Sequence, residues 1–384
     1  MLDISKIRAD FPTTSVCTYL SNCSESPMPL QVADAIMRQG IMAKMMKDTP
    51  SDGFSIIEGA RIEAAKIIGA EASEICFARG TTEAINILVT MIPWKATDNV
   101  ILNDLEFPSN VFPFQRQQKI HGFEIRTVKN RDGRILVDDI IDQMDENTRM
   151  VALSSVVMAN GYQVDLERLG RETRKRGILL EVDGIQSLGS RKIDVKKMNI
   201  DLLCAGGHKF LLGPSGTAVI YIREDLITKY EPMYMGPWQQ EELLDFTYHQ
   251  YQLCSTIRRF EFGGHPNELG MPGLAAAFRY LNRIGIDAIE ERCGHLVQVV
   301  VDNLHKYGLD CPDWTDDPKN LGSYIGIRTK RPEREVVAEL REKYHICCAA
   351  STTLLGERLR IAPSFYNTED EIELAVKTIA EIDH

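Results

Sequence analysis

Short apolar runs alternate with amphipathic stretches from about residue 60 to 225. The runs are NVILND (99–104), MVALSSVV (150–157), GILLEVD (177–183), DLLCAGG (201–207) and TAVIYI (217–222). Between them lie TTEAINILVTMI (81–92), SNVFPFQRQQKI (109–120) and DLERLGRETRKRG (165–177), whose apolar positions recur at helical spacing. Apolar strands separated by helices predict an α/β layer with a mostly parallel sheet. In such layers ligands collect beyond the carboxyl ends of the strands. After about residue 270 the pattern changes. Two helical stretches (273–285 and 291–308) precede short strands at 324–329, 345–350 and 357–363, and the chain closes on an amphipathic helix capped by Thr368. This predicts a large domain over 15–268 and a smaller α+β domain over 269–384, joined by residues 1–14.

Composition narrows the functional classes. At 384 residues, 44% hydrophobic and 26% charged, the chain has the make-up of a folded globular protein. Its net charge of -11 is spread over mixed-sign surface, with no basic run, which argues against nucleic acid or an anionic membrane as partner. The start has neither the apolar core nor the cleavage site of a signal peptide, and no stretch reaches the roughly 18 apolar residues of a bilayer span. A cytoplasmic location is expected. The nine cysteines form no C-x-x-C and the eight histidines no H-x-x-x-H, so neither a disulfide framework nor a metal site is expected.

Three segments carry candidate chemistry. Gly80-Thr81-Thr82 follows ICFA and opens a helix; backbone N–H groups there, with two hydroxyls, can hold a phosphate, although a plain threonine cap would read the same. Asp183 ends the run GILLEVD, in the ligand-facing position of a sheet, where a turn residue is the plain alternative. Lys209, in GGHKFLLGP, sits among glycines and apolar side chains; desolvation there lowers an amine's pKa, as a nucleophile requires. A phosphate anchor, then an acid, then a buried lysine is the set that pyridoxal phosphate needs: an anchor, a partner for the ring nitrogen and an amine for the aldehyde.

With these residues in place the sequence resembles the class V aminotransferase family of fold-type I pyridoxal phosphate enzymes, which includes cysteine desulfurases, selenocysteine lyases, kynureninases and isopenicillin N epimerase. The likeness runs from YLSNCSESPMP (19–29) through RGTTEAIN, LEFPSN, EVDGIQSLG, GGHKFLLGPSG and RRFEFGGHPN to RIAPSFYNTEDEI (360–372). It implies that Lys209 carries the cofactor as a Schiff base and shuttles the Cα proton. It also implies that Asp183 pairs with the ring nitrogen, Gln186 meets the ring O3′, and Thr81, Thr82 and His208 hold the phosphate. Phe107 lies where the family places a ring over the cofactor, and Arg360 where an arginine grips the substrate α-carboxylate through two parallel hydrogen bonds. The same likeness implies a homodimer with active sites at the interface and a small amino-acid substrate.

The chain departs from the family pattern at four places. Desulfurases keep a reactive cysteine between the last strands; the corresponding 351–357 reads STTLLGE, and Cys347 and Cys348 lie earlier in an apolar run. His265 replaces the threonine that reaches the partner's cofactor phosphate, and is expected either to donate to that phosphate in its place or to meet an acidic group of the substrate. Gly206 replaces a serine. Asn22 and Cys23 stand where relatives line the substrate cavity with small residues, a packed free thiol being the plain alternative for Cys23. Loss of the persulfide cysteine tilts the expectation toward α,β-elimination from a sulfur-containing or similar amino acid, with transamination next and epimerisation third. A non-catalytic binding partner is disfavoured by the intact Lys209, Asp183 and Arg360. A dehydrogenase is disfavoured because no G-x-G-x-x-G follows the first strand.

Overall fold

A computed structural model describes residues 2–45, 53–242, 251–261 and 267–384. A short strand near the start, β1 (Thr18–Tyr19), precedes the seven strands of the main sheet: β2 (Ile75–Ala78), β3 (Asn99–Asn103), β4 (Glu124–Val128), β5 (Thr148–Ser154), β6 (Leu179–Asp183), β7 (Leu202–Gly206) and β8 (Ala218–Ile222). Their spatial order is β2-β8-β7-β6-β5-β3-β4. Pairing is parallel from β4 through β7, and only β8, antiparallel to both β7 and β2, runs the other way. The mostly parallel sheet expected from the apolar runs is therefore present. β3, β6, β7 and β8 are buried along their whole length, which is why they read as continuous apolar runs rather than alternating ones.

Crossover helices cover both faces. Helix Leu166–Arg176 starts at Asp165, whose side chain accepts from the Arg168 N–H. The helix expected over 109–120 is shorter: a 3₁₀ turn occupies Pro108–Asn110 and the α-helix runs Phe112–His121. Pro113 sets that start, because proline fits only the first turn, where its missing N–H costs nothing.

The remaining strands are β9 (Ile325–Ile327), β10 (Ile346–Cys347), β11 (Ala349–Thr353) and β12 (Gly356–Ile361). β11, β12 and β9 form an antiparallel sheet, and β1 pairs in parallel with β10. Helix Gly270–Ile284 packs on helices Leu30–Met45 and Gly53–Ile68, whereas helix Ile286–Lys306 packs on helix Glu369–Ile382. The N-terminal segment is tied to the last helix by Arg8, whose guanidinium donates to the Tyr366 carbonyl (3.0 Å) and to Glu371 Oε1 (2.8 Å). Thr368 and Glu371 form the expected capping box at that helix's start. Among the described residues no helix is long and apolar enough to cross a membrane, and no group of three or more metal-ligating side chains occurs.

Candidate active site

The site forms where the carboxyl ends of β6 and β7 lie side by side, with Asp183 paired to Cys204 in register and the Gly184 N–H bonded to the Cys204 carbonyl at 2.8 Å. Helix Thr81–Thr90 begins at the same end of the sheet, because β2 runs parallel to β7 two strands away. The Gly206 N–H donates to Thr81 Oγ1 at 3.0 Å and fastens the helix start to β7. A Cβ on Gly206 would stand 3.0 Å from Thr81 Oγ1 and 3.1 Å from the His208 ring, so the serine of relatives has no room here without adjustment. Around Gly80, by contrast, a Cβ would meet nothing within 4 Å, leaving open space before the free N–H groups of the first turn.

Lys209 sits in a tight loop after β7. Leu212 closes it, with its N–H on the Lys209 carbonyl at 2.8 Å and φ of 61°, a conformation unusual for a buried leucine. The loop after β6 closes against it at Gly189 (φ 94°), where a Cβ would lie 2.0 Å from the Phe210 carbonyl oxygen. Both loops are thus fixed by backbone contact. Burial lowers the Lys209 amine, the Arg360 guanidinium adds to the effect, and no described residue hydrogen-bonds its nitrogen. Asp183, 2% exposed, accepts from the Ile185 N–H at 2.9 Å; burial and nearby Glu106 push its carboxyl up to about 7.

The other expected residues gather around this pair. Gln186 is buried, donates to the Cys23 carbonyl at 3.1 Å and has an Oε1 with no partner among the described residues. His208 is half-buried, and burial with the adjoining Lys209 lowers its imidazole. Phe107, at the loop following β3, leaves 46% of its surface open. Arg360 lies on β12 between the small register partners Ala349 and Gly326, and donates to Ser24 Oγ at 3.1 Å. Its guanidinium is 5.9 Å from the Tyr324 ring centre and its Nε has no partner among the described residues. Cys23 is fully buried and shares a buried apolar cluster with Tyr324. Asn22 is also buried, and its amide is engaged by the Ala362 carbonyl (2.8 Å) and the Tyr366 hydroxyl (2.7 Å), so it braces the loop. His265 lies outside the described residues.

Several residues joined to the site are not evident from motif reading. Ser109 Oγ lies 2.7 Å from Thr82 Oγ1 and extends the hydroxyl cluster at the helix start, beside a hollow of about 380 Å³. Ser24 and Tyr324 hold Arg360, and Tyr324 is anchored on the Val157 and Met158 carbonyls. Glu106 bonds the Ser154 N–H and hydroxyl, both at 2.7 Å. The segment 351–357 is a tight hairpin joining β11 to β12, closed by Leu354 and Leu355, with no thiol. Cys348 is buried; Cys347 is half-buried, 3.8 Å from Cys17.

Comparison with known proteins gives a consistent result. The family "Aminotransferase class-V" matches residues 18–374. A probable cysteine desulfurase from Methanothermobacter thermautotrophicus is 29% identical over 98% of this chain and 97% of its own length. One from Pyrococcus abyssi is 30% identical over 84% of this chain and 80% of its own. The solved apo structure of a cysteine desulfurase from Thermococcus onnurineus superimposes with a TM-score of 0.90 at 26% identity, covering 100% of this chain and 98% of that one.

Proposed function

Given that this chain belongs to the class V aminotransferase family, we propose that it binds pyridoxal phosphate on Lys209 and eliminates the β-substituent of a small amino acid. The observation that carries this reading is the half-buried Lys209, whose amine has no hydrogen-bond partner among the described residues, near Asp183 at the carboxyl ends of neighbouring strands. The residues fit the cofactor. Open space lies in front of the Thr81–Thr90 helix start for its phosphate, with Thr81, Thr82 and His208 alongside. Asp183 offers a carboxylate to a cationic ring nitrogen, Gln186 stands next to it, and the half-open Phe107 ring can cover a face.

Once bound, the cofactor supplies an electron sink for charge developing at the substrate Cα. The chain supplies the rest. Arg360, steadied by Ser24 and Tyr324, orients the α-carboxylate through its guanidinium, whose Nε has no partner among the described residues. Lys209, whose amine is made less basic by burial, takes the Cα proton. Burial of Cys23 and Tyr324 keeps the pocket dry on the Arg360 side.

Elimination is supported by the β11–β12 hairpin, which carries Ser351, Thr352 and Thr353 and no thiol, and which the sequence likeness matches to the segment where desulfurases of this family keep their sulfur acceptor. With no acceptor there, a departing thiolate leaves as free product. The test is product analysis with sulfur amino acids and no added oxo acid. Stoichiometric keto acid and ammonia are expected; an absolute need for a 2-oxo acid would establish transamination instead. We also propose a homodimer. It is supported by the exposed apolar side chains Met37, Ile41, Met42 and Leu269, and by Phe112 beside the site, and is checked by mass in solution.

A further inference from the structure

A second acid stands two residues before Asp183 on β6. Side chains alternate along a strand, so Glu181 and Asp183 face the same side of the sheet. The cross-strand neighbours of Glu181 are Ala152 and Leu202, and its own side chain is 0% exposed. The Cys204 thiol, 3.9 Å from Oε1, is a weak partner, and Oε2 has none among the described residues. A third acid, Glu106, reaches this side from the loop after β3 but is well supplied: Ser154 N–H and hydroxyl, Asn103 at 2.6 Å and Asn110 at 3.3 Å all donate to it. Three carboxyls on one side of neighbouring strands resist ionising together, and Glu181, whose Oε2 has no donor among the described residues, holds its proton the most firmly. An apolar side chain of similar volume would fill the Glu181 site at lower cost, so packing alone does not account for an acid there.

We propose that Glu181 is a proton reserve for the ring-nitrogen site, a positioning residue that stays neutral while Asp183 pairs with the cationic ring and surrenders its proton to hydroxide before the ring does. The proposal rests on the functional reading above, since it requires a pyridinium beside Asp183. Burial holds the Glu181 carboxyl well above its ordinary range, and Asp183 and Glu106 add to the rise. The ionisable groups facing it are those two acids and the Cys204 thiol, raised by the same causes, while Lys209 acts on Asp183. The covering helix contributes Ile85 and Leu88 to the apolar cluster on this side. When Glu181 becomes a carboxylate, the added negative charge strengthens the ring's hold on its proton.

Three variants test this after loading with pyridoxal phosphate. Glu181→Gln removes the titration and keeps the shape, Glu181→Leu removes polarity as well, and Glu181→Asp retains an acid. Absorbance of the bound cofactor is followed from about pH 6 to about pH 10, together with the melting temperature of the cofactor-free protein. The alkaline transition of the cofactor is expected to fall by about one pH unit in the Gln and Leu variants and to return toward wild type in the Asp variant. The Leu variant should melt higher without cofactor. An unchanged transition in both Gln and Leu variants overturns the proposal, whatever the melting temperatures do. Wild-type protein that takes up no pyridoxal phosphate would instead overturn the functional reading beneath it.

Discussion

Two buried ionic groups in this chain are built on opposite principles. Arg61 and Glu261 form a closed set: Arg61 Nη2 meets Glu261 Oε2 at 2.8 Å, while Glu261 also accepts from the Phe77 N–H (3.1 Å) and the Trp238 indole (3.0 Å), and Arg61 donates to the Ile75 carbonyl. Lys209, Asp183 and Arg360 form an open set. The amine lacks a partner among the described residues, the carboxylate has one backbone donor, and the guanidinium Nε is unpaired. Burial costs both sets comparably. The first recovers that cost from the chain itself, and the second leaves hydrogen-bonding capacity for something that is not the chain. Incomplete satisfaction at the ends of adjacent parallel strands is therefore the mark of the site.

If this contrast is right, mutations in the open set should remove activity and spare the fold, whereas mutations in the closed set should do the reverse. The largest effect is expected for Lys209→Ala. Turnover should fall by about 10⁴-fold while the cofactor-free melting temperature holds or rises, because an unpaired buried amine is lost. Glu261→Ala should cost about 3–5 kcal/mol in chemical denaturation by stranding Arg61, with kcat per folded molecule little changed. Arg360→Lys should raise KM by about 10–100-fold, since a point charge replaces a planar two-pronged donor. Asp183→Asn should have the smallest and most pH-dependent effect. In the cofactor-free protein its carboxyl is raised to about 7 from an ordinary value of 3.8. Its stabilising contribution is therefore complete below that ordinary value and lost as pH rises through about 7. The Asn variant should gain about 1–3 kcal/mol over wild type above that pH and lose the advantage in acid. Asp201, raised by burial to about the same value, titrates in both proteins and cancels in the difference.

What the sequence discloses follows the same physical division. Strands buried on both faces appear as apolar runs, so β3 and β5 through β8 are legible. β4 is not, because it lies at the sheet edge with only Val128 buried. The lysine, the strand-end acid and the helix start proposed for the phosphate are legible because each is a local signal at a fixed place in an α/β unit. Ser24, Ser109 and Glu106 lie inside segments that carry the family likeness, but their roles, like that of Tyr324, rest on contacts made only when distant segments meet. Glu181 was hidden for another reason, lying inside a run whose apolar character defined the strand. The division into domains is a matter of packing. Because helix Gly270–Ile284 lies on the helices of the large layer, we propose that the small domain begins near Gly285.

The most direct measurement is reduction of the purified, cofactor-loaded protein with borohydride followed by peptide mass analysis. A phosphopyridoxyl group is predicted on the peptide carrying Lys209 and on no other. An adduct on a different lysine, or none at all, would contradict the assignment of that amine and with it the proposed chemistry.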